Sequence, residues 1–234
     1  MAEHTHPFIA SIVGDDGATH RPHVGSAFRI NDRRAIVTAA HVYREARQRF
    51  GEQIAASGER GQPPTILGAP HLLDDVLDIA VFDVPSRYPA SGVGFWRRDR
   101  AAKDDHALAT DYLFLHGFPG VRSRFSPLAN GLLNRSFPYG VMLREDHLPP
   151  DLSEHQFVMD FDPENFKALD GTSGEWLDPR GLSGSAVWRI GAAGTSINEW
   201  SPAMSELVGV VTQWDQTRKC LLATKWTSIA TLVG

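Results

Sequence analysis

Histidine, aspartate and serine can together perform nucleophilic hydrolysis, and the sequence holds a candidate of each type in a distinctive setting: His41, Asp78 and Ser183. A serine hydroxyl becomes a nucleophile when a neighbouring base takes its proton, and a carboxylate holds that base in the right tautomer. Taken singly, each residue has an ordinary structural interpretation. The chemistry therefore depends on a fold that brings the three together.

His41 ends the segment 35–41 (AIVTAAH), which is typical of a strand that runs into a turn of small residues. The following stretch, 41–50, lacks helix breakers and predicts a short helix. A single histidine after a strand is more often structural than catalytic.

Asp78 lies in the segment 76–84 (VLDIAVFDV), which is apolar on both faces and predicts a buried strand. Strand alternation places Asp78 on the same face as Ala80 and Phe82. An ionised carboxylate there is costly unless hydrogen-bond donors face it, so Asp78 needs a partner. The alternative interpretation is that Asp78 stands at the strand entrance and caps a turn.

Ser183 stands between Gly181 and Gly184 in the sequence GLSGSAVW, directly before a predicted strand. Glycines allow backbone angles at which successive N–H groups point into one concavity, and such a nest can stabilise an oxyanion. Glycine and serine also build ordinary turns, so this motif alone is weak.

The elements that must position these side chains are mostly β-strands, because short runs rich in Val, Ile, Phe and Thr recur between turn-forming clusters. The segment 85–107 carries Pro, Gly and mixed charges without periodicity, which favours a connector. The sequence therefore predicts two β units of about six strands each, with domain boundaries of 7–95 and 108–234.

Composition excludes several function classes. The 234 residues carry a formal net charge of −5 and no visibly basic face, so neither nucleic acid nor an anionic membrane is an expected partner. No window approaches the roughly 18 apolar residues of a membrane helix, and the acidic start does not resemble a signal peptide. Cys220 is the single cysteine, which excludes an intrachain disulfide and favours a reducing cytoplasm.

A histidine after TAA, an aspartate in DIAV and a serine in GLSGSA, in that order, closely resemble the three catalytic motifs of the chymotrypsin and trypsin superfamily. The segment 206–212 (ELVGVVT) resembles the family strand that follows the nucleophile and pairs with the substrate backbone. Cytosolic bacterial trypsin-like peptidases are the nearest subset. The resemblance covers nearly the whole chain.

This resemblance implies an all-β fold of two six-stranded antiparallel β-barrels with short helices, and a serine endopeptidase activity on protein or peptide substrates. Ser183 would be the nucleophile, His41 the general base and Asp78 the residue that orients it. The backbone N–H groups of Gly181 and Ser183 would form the oxyanion hole. No cofactor or metal is expected.

The resemblance also implies a substrate-binding set. Leu177, six residues before Ser183, falls where members with a basic preference carry an acid, and Trp214 falls where open-pocket relatives carry a small residue. Together with Thr212 and Gln213, these residues predict a shallow, uncharged pocket for small or medium apolar side chains. A different loop register would let Glu175 or Asp178 supply an acid instead.

Departures from the family pattern bear on activation rather than on the reaction. Leu182 stands where zymogen members carry an acidic residue, and Ser185 with Ala186 replaces the usual Gly-Pro. The loop must then be ordered by its own packing or by a regulatory protein partner that contacts the segment 162–180.

Other interpretations compete with this one. The segment 115–120 (LHGFPG) resembles the oxyanion segment of α/β-hydrolase esterases, but no histidine follows Ser183, so His116 is expected to be a strand-end residue. A Ser-Lys peptidase could use Lys219 or Lys225, which leaves the histidine and aspartate motifs unexplained. A catalytically silent scaffold that binds protein through its cleft is the alternative from another functional class.

A metal site is the remaining alternative. His4 with His6, and His20 with His23, have spacings that a metal could use, but no cysteine or carboxylate cluster accompanies them. Solvated histidines are the expectation.

Overall fold

The computed structural model describes most of the chain in nine segments: residues 1–14, 23–30, 34–57, 65–84, 94–104, 112–126, 131–164, 178–190 and 200–233. Within these segments no helix is long and apolar enough to span a membrane. All pairings between the named strands are antiparallel.

A seven-stranded sheet is built from the first part of the chain, in the order β5-β4-β1-β2-β3-β7-β6. Its strands are β1 (Ile9–Gly14), β2 (His23–Ile30), β3 (Ala35–Ala39), β4 (Ile54–Ser57), β5 (Thr65–Ile66), β6 (Leu72–Asp74) and β7 (Ile79–Asp83). Helix α1 (Ala2–Thr5) precedes the sheet, and helix α2 (Ala40–Phe50) follows β3 without an intervening loop.

A six-stranded sheet is built from the second part, in the order β11-β8-β13-β14-β15-β12, and a two-stranded hairpin of β9 and β10 accompanies it. The strands are β8 (Tyr112–Gly117), β9 (Ser123–Ser126), β10 (Gly131–Asn134), β11 (Phe137–Met142), β12 (Gln156–Asp160), β13 (Ala186–Arg189), β14 (Glu206–Asp215) and β15 (Cys220–Lys225). Helix α3 (Trp226–Ala230) follows β15 directly.

The predicted all-β fold of two antiparallel β-barrels with short helices is confirmed, since the structure contains two curled antiparallel sheets and few short helices. The first sheet holds seven strands rather than six, because the short pieces β4, β5 and β6 extend it at its two edges. The antiparallel pairing excludes the α/β-hydrolase alternative, which requires a parallel sheet. The domain boundaries of 7–95 and 108–234 stay a prediction.

The two sheets share one apolar cluster. It contains Phe28 and Val37 from the first sheet, Trp188 and Val210 from the second, and Trp226 from α3, all buried. The Phe28 ring meets the Trp226 ring edge-on at a centroid separation of 6.1 Å. Burial of these large side chains holds the sheets together, so residues at their junction are fixed relative to one another.

His116 lies near the end of β8, as expected from the sequence, and is fully buried. Its Nδ1 is 2.7 Å from the hydroxyl of Thr5, and its Nε2 has no hydrogen-bond partner among the described residues. Burial, with a smaller contribution from His6, lowers the pKa of His116 to about 3. A protonated ring would need a second acceptor, so the folded protein keeps His116 neutral.

This burial predicts a pH-dependent stability. Below the ordinary histidine pKa of about 6.5 the unfolded chain binds a proton that the folded chain does not bind until about pH 3. The free energy of unfolding should therefore fall by about 1.4 kcal/mol between neutral pH and pH 5.5 from this residue alone. His116→Asn should remove that decrease, measured as urea unfolding at pH 7.5 and pH 5.5.

His147→Gln, which changes an exposed side chain, is the matched control and should keep the wild-type pH dependence. An unchanged pH dependence in His116→Asn would show that another group titrates in this range.

Candidate active site

His41 and Asp78 meet at the junction between α2 and β7. The ring Nδ1 of His41 lies 2.6 Å from Oδ2 of Asp78, and both side chains are partly exposed, at 44% and 26%. The two residues are 37 positions apart, and the pairing of β3 with β7 brings them together, with Ala39 opposite Ile79. The His41 ring is therefore the hydrogen-bond partner that the Asp78 carboxylate was expected to need.

Asp78 also caps the start of α2. Its Oδ1 accepts the backbone N–H of His41 at 2.9 Å, and its carbonyl oxygen accepts the N–H of Ala40 at 2.9 Å. The first N–H groups of a helix have no partner within the helix, and Ala39 at the N-cap provides no side-chain bond. One residue therefore fixes both the backbone and the ring of His41.

The predicted buried strand 76–84 was too long at its start. Asp78 lies in a turn, with a φ of 54°, and β7 begins only at Ile79. Val76, placed by strand alternation on a buried face, is 79% exposed. The left-handed backbone at Asp78 breaks the alternation and turns the carboxylate toward the helix instead of the core.

The hydrogen bond assigns the tautomer of His41. A carboxylate only accepts, so Nδ1 of His41 carries the proton that it donates to Asp78. In the neutral ring Nε2 is then unprotonated and free to accept a proton. This is the arrangement of a general base.

The turn that carries Asp78 is tied to the second sheet. The buried hydroxyl of Thr224 in β15 donates to the carbonyl oxygen of Leu77 at 2.8 Å. Within the turn, Oδ1 of Asp74 accepts the N–H of Leu77, also at 2.8 Å. The sequence analysis missed Thr224, because a threonine in a strand carries no signal of a contact 147 residues away.

Ser183 lies half-buried in a loop, Gly181–Gly184, just before β13. Gly181 and Gly184 have φ angles of 91° and 87°, which L residues with a side chain rarely adopt. Leu182, at the position of the acidic residue in zymogen members, is buried in the core of the second sheet. The loop therefore has an apolar contact with this core at the position of that acidic residue.

Four successive carbonyl groups of this loop are hydrogen-bonded. The carbonyl oxygens of Arg180 and Leu182 accept the N–H groups of Gly120 and Ser185, at 2.8 and 2.9 Å. The carbonyl oxygens of Gly181 and Ser183 both accept from Ser26, the first from its hydroxyl and the second from its N–H, each at 2.8 Å. In a trans peptide the N–H points away from the C=O. Among the described residues, no carbonyl accepts from the N–H groups of Gly181 or Ser183.

The loop approaches the first sheet at Gly25. A Cβ atom added there would lie 2.6 Å from each methyl group of Val42 and 3.1 Å from the carbonyl oxygen of Ser183. Val42 follows His41 in α2. Gly25 therefore lies beside both the helix that presents the histidine and the backbone of Ser183.

Comparison with solved structures finds this architecture in serine proteases. The active form of the Rv3671c protease from M. tuberculosis is 15% identical, with a TM-score of 0.55 over 98% of this chain and 81% of that one. AlgW, an HtrA-type protease solved with a decapeptide, is 15% identical, with a TM-score of 0.59 over 99% of this chain and 64% of its own. The serine endoprotease from Yersinia pestis is 17% identical, with a TM-score of 0.57 over 99% and 63%.

The chain has the trypsin-like serine protease fold. No family model matches it, and no curated protein matches it. At these identities the likeness establishes the fold, and the chemistry depends on the residues of this chain.

In this trypsin-like fold, three of the four predicted substrate-binding residues lie on β14. Thr212 is buried and forms a bulge, since Val211 and Gln213 pair with adjacent residues of β15. Gln213 is exposed and Trp214 half-buried. Leu177 lies outside the described residues, as does Glu175.

Asp178, the alternative acid, lies at the edge of the described residues and contacts Arg180. Its Oδ1 accepts the N–H of Arg180 at 3.0 Å, and its Oδ2 lies 3.7 Å from Nε of the same residue. The carboxylate therefore already has a cationic partner.

The Ser-Lys alternative is not supported at Lys219. Its Nζ lies 2.7 Å from Glu164 and 3.3 Å from Asp162, and the hydrogen bond to Glu164 raises its pKa. A general base must be neutral near working pH. Lys219 is therefore held in the wrong protonation state.

The described residues contain no group of three His, Cys, Asp or Glu that could hold a metal ion. His20, from one of the two histidine pairs, lies outside them. His4 is not a solvated residue, because its ring packs edge-on against Trp96 at 5.8 Å and burial lowers its pKa.

The close approach at Gly25 predicts an asymmetry between two glycine substitutions. Gly25→Ala should lower the free energy of unfolding by about 1–3 kcal/mol, because the added methyl group overlaps Val42 and crowds Ser183. Gly140→Ala, where the added methyl group meets nothing within 4 Å, should change it by less than about 0.5 kcal/mol. Urea unfolding measures both, and equal effects would contradict the close approach.

Proposed function

We propose that this chain is a serine endopeptidase that hydrolyses peptide bonds through an acyl-enzyme, with Ser183, His41 and Asp78 as its triad. The observation that carries the proposal is the 2.6 Å hydrogen bond from His41 to Asp78, which leaves Nε2 of His41 available to accept a proton.

In the first half of the proposed reaction, Nε2 of His41 takes the proton of the Ser183 hydroxyl as Oγ bonds to the substrate carbonyl carbon. The carbonyl π electrons move to oxygen. The imidazolium then donates its proton to the amide nitrogen, the C–N bond breaks, and an amine leaves. Asp78 stabilises the imidazolium throughout.

In the second half, His41 takes a proton from water while the water oxygen bonds to the acyl carbon. The bond to Ser183 Oγ breaks, the hydroxyl regains its proton from the imidazolium, and a carboxylic acid leaves. One peptide and one water thus become an acid and an amine.

The N–H groups of Gly181 and Ser183 are the proposed oxyanion hole. Their support is that neither N–H donates to a backbone carbonyl of the described residues, and that the C=O on the opposite side of each of these two peptides accepts a hydrogen bond that fixes the peptide plane. Preorganised donors of this kind stabilise the charge that develops in the transition state, where each is worth about 10²–10³ in rate.

The proposed substrate site is the end of β14. β13 pairs with β14 from Glu206 to Val210, so Thr212, Gln213 and Trp214 lie beyond its last paired residue. An extended peptide could add to such an edge by main-chain hydrogen bonds. Leu177 is the proposed pocket floor.

Three further points stay proposals. The buried, single Cys220 is compatible with a cytoplasmic protein of a bacterial trypsin-like subset. The negative net charge makes protein or peptide the proposed partner rather than nucleic acid or membrane. A regulatory protein that contacts 162–180 is the proposed alternative to self-ordering of the loop.

The triad is tested by covalent labelling and turnover. A biotinylated fluorophosphonate should label wild type at one serine, and Ser183→Ala and His41→Ala should each abolish labelling and peptide hydrolysis. Asp78→Asn should lower turnover about 10⁴-fold, because it favours the wrong tautomer of His41. Circular dichroism checks that each variant folds.

Ser185→Ala removes the neighbouring buried hydroxyl, which has no hydrogen-bond partner among the described residues, and is the matched control for labelling. Labelling that survives in folded Ser183→Ala would overturn the assignment. A folded wild-type protein that is never labelled would favour the protein-binding scaffold.

The predicted specificity is tested by digestion of an unbiased peptide library. Cleavage should occur after small or medium apolar side chains, since Leu177 and Trp214 predict a shallow uncharged pocket and Asp178 is paired with Arg180. Strong selectivity for Arg or Lys before the scissile bond would refute this pocket.

A further inference from the structure

Ser26, in β2 of the first sheet, makes four hydrogen bonds of 2.8 Å or shorter with three other segments. Its N–H donates to the carbonyl of Ser183 at 2.8 Å and its hydroxyl donates to the carbonyl of Gly181 at 2.8 Å. The same hydroxyl accepts the N–H of Phe118 at 2.7 Å, and its carbonyl accepts the hydroxyl of Thr38 at 2.6 Å. The residue is 0% exposed, so water does not compete for these bonds.

The two loop peptides that Ser26 holds are each bonded on both sides. The peptide after Gly181 donates its N–H, from Leu182, to Pro179 at 2.9 Å. The peptide after Ser183 donates its N–H, from Gly184, to the carbonyl of Val211 at 2.7 Å. Each peptide is therefore fixed between the first sheet on one side and the second part of the chain on the other.

These two peptides flank the one that carries the N–H of Ser183, and the first of them follows Gly181 directly. Rotation of either would redirect a proposed oxyanion donor, because adjacent peptide planes share one Cα. Gly181 and Gly184 lack a Cβ atom, so conformations other than the observed positive φ are also accessible to them. Hydrogen bonds from outside the loop are therefore needed to fix its backbone.

We propose that Ser26 is a positioning residue that holds the N–H groups of Gly181 and Ser183 in the geometry that binds the oxyanion. The inference rests on the proposed function and deepens it. Ser26 does not touch substrate. It affects the rate of the chemical step by fixing the loop. Both oxyanion donors belong to the second part of the chain, and Ser26 of the first sheet holds them in place.

The side-chain hydroxyl of Ser26 is the group through which the positioning role can be tested. Ser26→Ala keeps the backbone bond to Ser183 but leaves the carbonyl of Gly181 and the N–H of Phe118 without their partner. Space around the hydroxyl is tight, since a Cβ added at Gly117 would lie 2.8 Å from it. The loop must therefore shift to regain these bonds.

The test compares wild type, Ser26→Ala and Ser26→Cys, with Ser11→Ala as the matched control. Ser11 lies opposite Ser26 in the pairing of β1 with β2, is equally buried, and donates to the carbonyl of Ser57 within the first sheet. The probes are an Ala-Ala-Val peptide aminomethylcoumarin, the corresponding peptide boronic acid and a biotinylated fluorophosphonate.

Ser26→Ala should lower kcat and the fluorophosphonate labelling rate by about 10–100-fold, since small misplacements of catalytic groups cost about this much. KM should stay within about threefold of wild type, because the peptide edge of β14 is untouched. The affinity for the boronic acid, whose tetrahedral adduct occupies the oxyanion site, should fall with kcat/KM. Ser11→Ala should match wild type in all three.

A KM that rises with kcat unchanged, or a labelling rate within twofold of wild type, would overturn the positioning role. Ser26→Cys keeps the side-chain size with a weaker donor and should fall between wild type and Ser26→Ala; it carries the test if Ser26→Ala does not fold. If neither folds, Ser26 serves the fold as a whole and the inference is wrong. If wild type does not cleave the peptide, the labelling rate decides.

Failure of this inference is distinguishable from failure of the proposed function. Active Ser26→Ala beside inactive Ser183→Ala overturns only the role of Ser26. Labelling that survives in Ser183→Ala overturns both.

Discussion

The hydrogen bond from the amide of Ser26 to the carbonyl of Ser183 joins the first sheet to the loop that carries Ser183. His41 and Asp78 come from the first part of the chain and Ser183 from the second, so neither part alone contains the proposed site. This bond requires the two backbones to approach closely, which explains why Gly25 and Gly184 lack side chains there. The shared cluster of Phe28, Trp188 and Trp226 then keeps the junction from opening.

A second dependence runs through Asp78, whose carboxylate serves the start of α2 and the ring of His41 at once. The helix would otherwise begin with unsatisfied N–H groups, since Ala39 cannot cap it. The hydroxyl of Thr224 in β15 binds the turn that carries Asp78, just as Ser26 in β2 binds the loop that carries Ser183. Each half of the candidate site is therefore hydrogen-bonded to the opposite sheet. The site is a property of the junction rather than of either sheet.

The sequence predicted those parts of the structure that depend on local pattern. Strands β2 and β3, the helix after His41 and the buried strand β7 follow from β-branched runs and the absence of breakers. The sequence does not single out β4, whose four residues IAAS contain one β-branched residue, or β6, whose three residues are too few to show a periodicity. The predicted start of the strand before Ile79 was wrong, because the alternation of side chains in the sequence does not reveal that Asp78 has a left-handed backbone. Ser26 and Thr224 were missed because their partners lie 155 and 147 residues away.

The left-handed backbone of Asp78 has an evolutionary consequence. Among residues with side chains, aspartate and asparagine enter this region most readily, so asparagine at position 78 keeps both the turn and an oxygen for the amide of His41. A single-nucleotide substitution converts either aspartate codon to an asparagine codon. The chain therefore sits one mutational step from a variant that keeps this turn and the start of α2 but lacks the carboxylate that the proposed reaction requires, and stability at this position offers little resistance to that change.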